Sequence, residues 1–311
     1  MLAKINSYGL QGINGYAVSL EVDINNGLPK MDVVGLGDTA VKESRERVRS
    51  AIKNSGFFFT PKVITVNLAP ASVKKEGSLY DLGIALGILY ATEQITVPDI
   101  GDYIVVGELS LDGELRHVKG ILPILISARD KGLKKIIIPA ANANEASYID
   151  GVDVYAFGTF REVVSFLVGE TVVEPVAKQP IALSLNNRYA EDFKYVKGQY
   201  VAKRAMEIAA AGGHNILLIG PPGAGKTMLA RCIPTILPDM TVSEALETTK
   251  IHSVAGVLDE KKGMVFTRPF RSPHHTVSMI ALTGGGATAH PGEMSLAHNG
   301  VLFMDEIPEY P

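Results

Sequence analysis

The chain has 311 residues, 46% of them apolar and 20% charged, with a formal net charge of −3 and a sequence pI of about 6.2. That is ordinary globular composition, long enough for two domains, and it excludes a global basic field that would advertise nucleic acid. The single cysteine, Cys232, excludes an intramolecular disulfide framework and a cysteine-rich zinc module, and no basic-then-apolar leader or long apolar run stands out, so a cytoplasmic protein is expected.

Residues 1–170 alternate strand and helix signals. Val18, Leu20, Val22 and Ile24 alternate with Ser19, Glu21 and Asp23, the period of two of a half-buried strand. Thr39 to Asn54 is polar with Val41, Val48, Ala51 and Ile52 at helical spacing, and Gly56 ends it. Its Arg45, Arg47 and Arg49, with Glu43 and Glu46, predict a solvated face. Val63 to Leu68 predicts a strand. Leu79 to Leu89 predicts a buried helix with Leu79, Leu82, Leu86 and Leu89 on one stripe. Tyr103 to Val106 and Leu109 to Leu111 are strand-like, and Asp112-Gly113 turns the chain tightly into Leu115. Ile121 to Lys131 reads as a helix, Lys135 to Ile138 and Val152 to Phe157 as strands, and Phe160 to Val168 as a closing helix. This is one α/β domain with a mixed sheet. Residues 171–190 carry two prolines and no helical period, which predicts a linker. The second domain, 191–311, starts near Tyr189 and has an alanine-rich helix over Val201 to Ala211, broken by Gly212-Gly213.

Residues 220–227 read Gly-Pro-Pro-Gly-Ala-Gly-Lys-Thr, after the apolar run Asn215 to Ile219 and before the helix-prone run Met228 to Cys232. This is a phosphate-loop pattern in its expected context, a buried strand before it and a helix after it. Gly220, Gly223 and Gly225 permit a turn whose N–H groups face a triphosphate, with Pro221, Pro222, Ala224 and Met228 completing the loop and its exit. Lys226 supplies a point charge for the β- and γ-phosphates of ATP, and Thr227 a hydroxyl for Mg²⁺. Gly300 to Met304 is an apolar strand that ends in Asp305 and Glu306. A buried strand ends in charge where the charge has a role. Asp305 is expected beside Thr227 as a ligand of Mg²⁺, and Glu306 is expected to polarise the attacking water.

The second domain resembles the magnesium-chelatase-like branch of the AAA+ ATPases. The resemblance is carried by Val196-Lys197-Gly198-Gln199, by Ala209 to Asn215, by Arg268-Pro269-Phe270-Arg271-Ser272-Pro273-His274-His275, and by Pro291 to Gly300. The first domain is similar to the Lon-protease-type domain that precedes the ATPase in the competence (ComM/YifB) type, through Lys75-Glu76-Gly77-Ser78 with Asp81-Leu82 and Gly107 to Gly113. The fold implied is a Lon-like α/β domain followed by an incomplete P-loop AAA+ parallel-sheet domain. The resemblance implies an ATP-driven homo-hexameric motor that remodels DNA by helicase-like branch migration. Alternatives are a magnesium-chelatase motor acting on a porphyrin-bound partner, and a non-hydrolysing interaction fragment.

Aligned on the Lon strings, the nucleophile position falls on Leu79 and the base position on Leu122, so the first domain is expected to be non-catalytic. His274, His275, His290 and His298 lack a ligand pattern, and no zinc is expected. The group Arg268, Arg271, His274 and His275 is locally basic and could meet phosphate or stand as a solvated loop. Residues 191–311 hold eleven Lys and Arg against twelve Asp and Glu, so DNA contact is expected from a few pore loops rather than a patch. The sheet beyond Glu306, a sensor residue, a partner-reaching arginine and a helical lid are expected to be missing, leaving unpaired strand edges and negligible turnover.

Overall fold

The computed structural model describes residues 2–181, 191–286 and 289–310. The expected domain start near Tyr189, linker residues 182–190, and Ala287 and Thr288 of the glycine-rich loop lie outside the described residues. Two compact units form, one of residues 1–180 with 256–263 and one of 181–255 with 264–311.

In the first unit the chain runs β1 (Leu2–Gln11), β2 (Asn14–Asn25), β3 (Lys30–Val34), α1 (Thr39–Asn54), β4 (Val63–Ala69), α2 (Asp81–Ala91), β5 (Tyr103–Val105), β6 (Glu108–Leu109), β7 (Leu115–Arg116), α3 (Ile121–Asp130), β8 (Lys135–Pro139), α4 (Ala143–Ala146), β9 (Asp153–Phe157) and α5 (Phe160–Leu167). Seven strands form one sheet in the order β3-β4-β2-β1-β5-β8-β9. The β1–β2 and β2–β4 ladders are antiparallel and the other four are parallel, so the α/β expectation holds with a mostly parallel sheet. Periodicity gives no strand over residues 2–11, yet β1 sits inside the sheet. Its buried Ser7 is tolerated because Oγ donates to Val105 O at 2.8 Å.

The helix α1 begins where Asp38 accepts Val41 N at 2.8 Å and spans the predicted residues. The buried helix expected over Leu79 to Leu89 forms over Asp81–Ala91. Ten of the eleven residues of α2 are buried, because it lies against β1 and β2 and is covered by α1. It approaches the sheet through glycine. A Cβ on Gly83 would stand 2.3 Å from Leu20 Cδ1, and one on Gly87 2.6 Å from Val22 Cγ2. The solvated face expected of α1 is corrected at Arg47. Its guanidinium makes a fork on the buried Asp81 carboxylate at 2.7 and 3.1 Å. Burial pushes the Asp81 carboxyl up to about 6 in spite of Arg47.

At the protease-like positions Leu79 and Leu122 are buried. The Ser78 hydroxyl donates to Glu108, and the buried Lys75 ammonium donates to the carbonyls of Pro70 and Val73. Downstream of α5 the described part of the expected linker is bonded to this unit. Val176 N donates to Val154 O at 2.7 Å and Gln179 N to Ser147 O at 2.9 Å. The edge strand β9 offers the first of these carbonyls.

The second unit contains α6 (Tyr200–Gly212), α7 (Lys226–Arg231), α8 (Val242–Ala255), β10 (Phe270–Arg271), α9 (Met279–Thr283), α10 (Glu293–Leu296) and β11 (Val301–Leu302). Phe193, Val196, Met206, Leu229 and Cys232 form its core, with Ile216 and Leu218 packed against them. The buried strand expected over Asn215 to Ile219 is corrected. Ile216 and Leu218 face inward, but Leu217 is 69% and Ile219 89% exposed. No ladder joins the segment among the described residues, and a strand needs a bonded neighbour. The strand expected over 300–306 contracts to β11, paired in parallel with β10.

Candidate functional site

The loop after Ile219 curls through Gly223 at φ 78° and Gly225 at φ 84°, left-handed conformations that glycine adopts without a Cβ penalty. Ala224 N closes the turn on Pro221 O at 3.3 Å. Lys226 opens α7, and its Nζ donates to Gly220 O at 2.9 Å and to Pro221 O at 3.0 Å. The ammonium therefore lies within the curve of the loop. Pro222 is on the exposed rim, and Met228, 48% exposed, stands on the first turn of α7.

Thr227 Oγ1 donates to Asp305 Oδ2 at 3.0 Å across 78 positions of sequence. Asp305 Oδ1 accepts Glu306 N at 3.1 Å. Glu306 itself has φ 53°, and its Oε2 lies 3.2 Å from His275 Nδ1. The structure thus brings the Lys226-Thr227 corner and Asp305 together, with Glu306 beside them and tied to the loop after β10. A hydroxyl next to a carboxylate is a hard-oxygen donor pair, which fits Mg²⁺, and an ammonium set in a glycine-rich curve fits phosphate oxygens.

Two arginines of the same unit are held in internal pairs. The Arg268 guanidinium, 12% exposed, pairs with Glu244 at 3.3 Å and donates to Asn299 O at 2.7 Å and Pro238 O at 2.5 Å. Glu244 in turn makes a capping box with Thr241 at the start of α8, accepting Thr241 N at 2.7 Å while its own N–H donates to Thr241 Oγ1 at 3.2 Å. That amide bond and Arg268 hold its carboxyl below the usual range. Arg271 forks on Glu293 at 2.6 and 2.7 Å, which raises the guanidinium pKa further. The basic group read from sequence is therefore divided. Its arginines are engaged in internal pairs, and the rings of His274 and His275 lie 4.1 Å apart.

Sequence reasoning missed three residues. Gln199, at φ 50°, donates Nε2 to Ala224 O at 3.4 Å. His275, in a group expected to meet phosphate or stand as a solvated loop, lies 3.2 Å from Glu306. The Tyr310 hydroxyl donates to Pro273 O at 2.6 Å. The string Val196 to Gln199 was the available signal for Gln199, since it was already among the marks of the family.

A family model described as magnesium chelatase, subunit ChlI, matches residues 192–311, and a second, described as subunit ChlI of Mg-chelatase, matches residues 20–142. The chain is 46% identical over 310 residues to the protein YifB of Escherichia coli strain K12, covering 99% of this chain and 60% of that protein. It is 44% identical over 313 residues to competence protein ComM of Haemophilus influenzae, covering 99% of this chain and 61% of ComM. It is also 28% identical over 146 residues to Lon protease 2 of Bacillus subtilis, covering 47% of this chain and 25% of that protease. The chain thus spans about 60% of the length of YifB and ComM.

Proposed function

The chain belongs to the magnesium-chelatase-like AAA+ proteins of the ComM/YifB type, and from that premise we propose that residues 220–228, Asp305 and Glu306 form the Mg²⁺-ATP site of a motor that acts on DNA. The observation that carries the reading is the 3.0 Å contact of Thr227 with Asp305 beside the Lys226 ammonium. The N–H groups of Gly223 and Gly225 would face phosphate oxygens, and Lys226 would exchange its carbonyl partners for the β- and γ-phosphates. Thr227 and Asp305 hold Mg²⁺, which when bound neutralises charge on the phosphates. Glu306 takes the proton of the attacking water.

DNA is the favoured substrate because the competence protein ComM is a close relative over nearly the whole chain. With Arg268 and Arg271 engaged internally, DNA contact falls to other loops of a homo-hexamer in the cytoplasm. No helix among the described residues is long and apolar enough to cross a membrane. A second reading, a chelatase motor acting on a porphyrin-bound partner, draws on the description of both family models.

Lys226→Ala is expected to lower ATP affinity at least 100-fold, about 3 kcal/mol, measured by calorimetry with Mg²⁺ present. Normal affinity in that variant refutes the site. A gel shift with forked DNA that weakens steeply between low and moderate salt supports the DNA motor. Indifference to forked DNA at low salt favours the chelatase reading.

A further inference from the structure

We infer that His275 is a positioning residue that fixes where the Glu306 carboxylate stands, so that the chemical step depends on it and nucleotide affinity does not. The inference rests on the ATP site proposed above. The Glu306 side chain is 66% exposed and, left alone, would sweep through its rotamers. Instead its Oε2 lies 3.2 Å from His275 Nδ1.

His275 is itself held. Its side chain is 29% exposed, and its ring lies 4.1 Å from that of His274 at a tilt of 39°. The His274 Nδ1 lies 2.9 Å from Thr276 Oγ1, and Val277 N donates to His274 O at 2.9 Å. The Tyr310 hydroxyl then fastens Pro273 O at 2.6 Å. Segments 273–277 and 305–310 therefore meet at Glu306 and again at Tyr310. The backbone of Glu306, at φ 53°, aims the side chain toward the first of these contacts. An exposed pair of this kind adds little stability. Its effect is geometric, because a base works only within reach of the proton it takes.

The first test needs no turnover. In protein with isotope-labelled histidine, Glu306→Gln should shift the ring-nitrogen signals of His275. Those of His252, whose Nε2 meets Leu296 O at 3.0 Å, should stay in place. Unmoved His275 signals overturn the inference, and this measurement decides where turnover is too slow to read. In a single-turnover ATPase assay, His275→Ala should slow hydrolysis about 10- to 100-fold with ATP affinity unchanged. His275→Asn, which donates from nearly the point of Nδ1, should restore most of the rate. Parallel losses of affinity and rate, or no rescue by Asn, overturn it. Lys226→Ala is the separate control. If that variant binds ATP normally, the ATP site fails whatever His275 does, and if it loses ATP while His275→Ala is inert, only the positioning role fails.

Discussion

In the first unit seven strands bond edge to edge and α2 lies against them with ten of its eleven residues buried. In the second unit the β10–β11 ladder is two residues long, and the segment leading into the phosphate loop has one packed face and one exposed face. The first unit takes its geometry from backbone ladders and apolar contact. The second takes much of it from polar side chains that reach across the chain: Arg268 to Glu244, Arg271 to Glu293, Thr227 to Asp305. Where ladders are short, each such pin matters more. The two units should therefore fail in different ways when single residues are changed.

The largest effect tests a place where the first unit depends on a buried ion pair. Arg47→Ala leaves the buried Asp81 carboxylate without its fork, and should cost about 3–5 kcal/mol. Hydrogen exchange should show lost protection in residues 1–180 with residues 191–255 unchanged. Equal loss in both would break the contrast. Arg268→Ala should act on the second unit alone and cost about 2–3 kcal/mol, since it removes charge-assisted bonds to three carbonyls and Glu244. A change below 0.5 kcal/mol, about the size of a neutral surface substitution, would mean that the unit is not held by such pins.

Gly83→Ala probes apolar packing. The new methyl would meet Leu20, and about 1–2 kcal/mol is expected in a denaturant melt of the first unit. Thr159→Ala should cost about 1 kcal/mol by removing the side-chain half of the capping box with Glu162 at the start of α5.

Stability should also slope with pH. The Asp81 carboxyl has an ordinary value of 3.8 and is raised to about 6 by burial. Between those values the folded unit keeps a proton that the unfolded chain has lost. Its contribution to stability therefore falls as pH rises through that window. Asp81→Asn should flatten that part of the stability–pH curve, and an unchanged slope would assign it to other groups.

The legible parts of the molecule were those with a local cause. The bounds of α1 follow from its helical spacing and from Gly56 after it, and β2 follows from strict alternation. The contact of Thr227 with Asp305 was legible because each residue sits at a fixed place in its own motif. What was not legible depends on distant neighbours. The apolar run of α2 predicts its burial, but periodicity cannot show that α1 is what covers it. In β1, Asn6, Ser7 and Gly9 hide the strand. Ser7 is satisfied only by Val105, and Gly9 lies against Tyr16 and Tyr80. Ile216 and Leu218 announce an inward face, but nothing in that run says whether another strand lies beside it. His275 meets Glu306 across 31 positions (306 − 275), and no pattern within either segment links them.

Arg268 has a consequence beyond its own unit's stability. Its planar fork gathers the turn at Pro238, the entry of α8 through Glu244, and the carbonyl of Asn299 just ahead of β11. The starting point of the strand that carries Asp305 is thereby surveyed from a guanidinium on a different stretch of chain. A lysine at 268 would keep the charge but lose the fixed angles among those three anchors. Tolerance to a cation at this position would thus be a poor guide to whether Asp305 still lines up with the Thr227 hydroxyl.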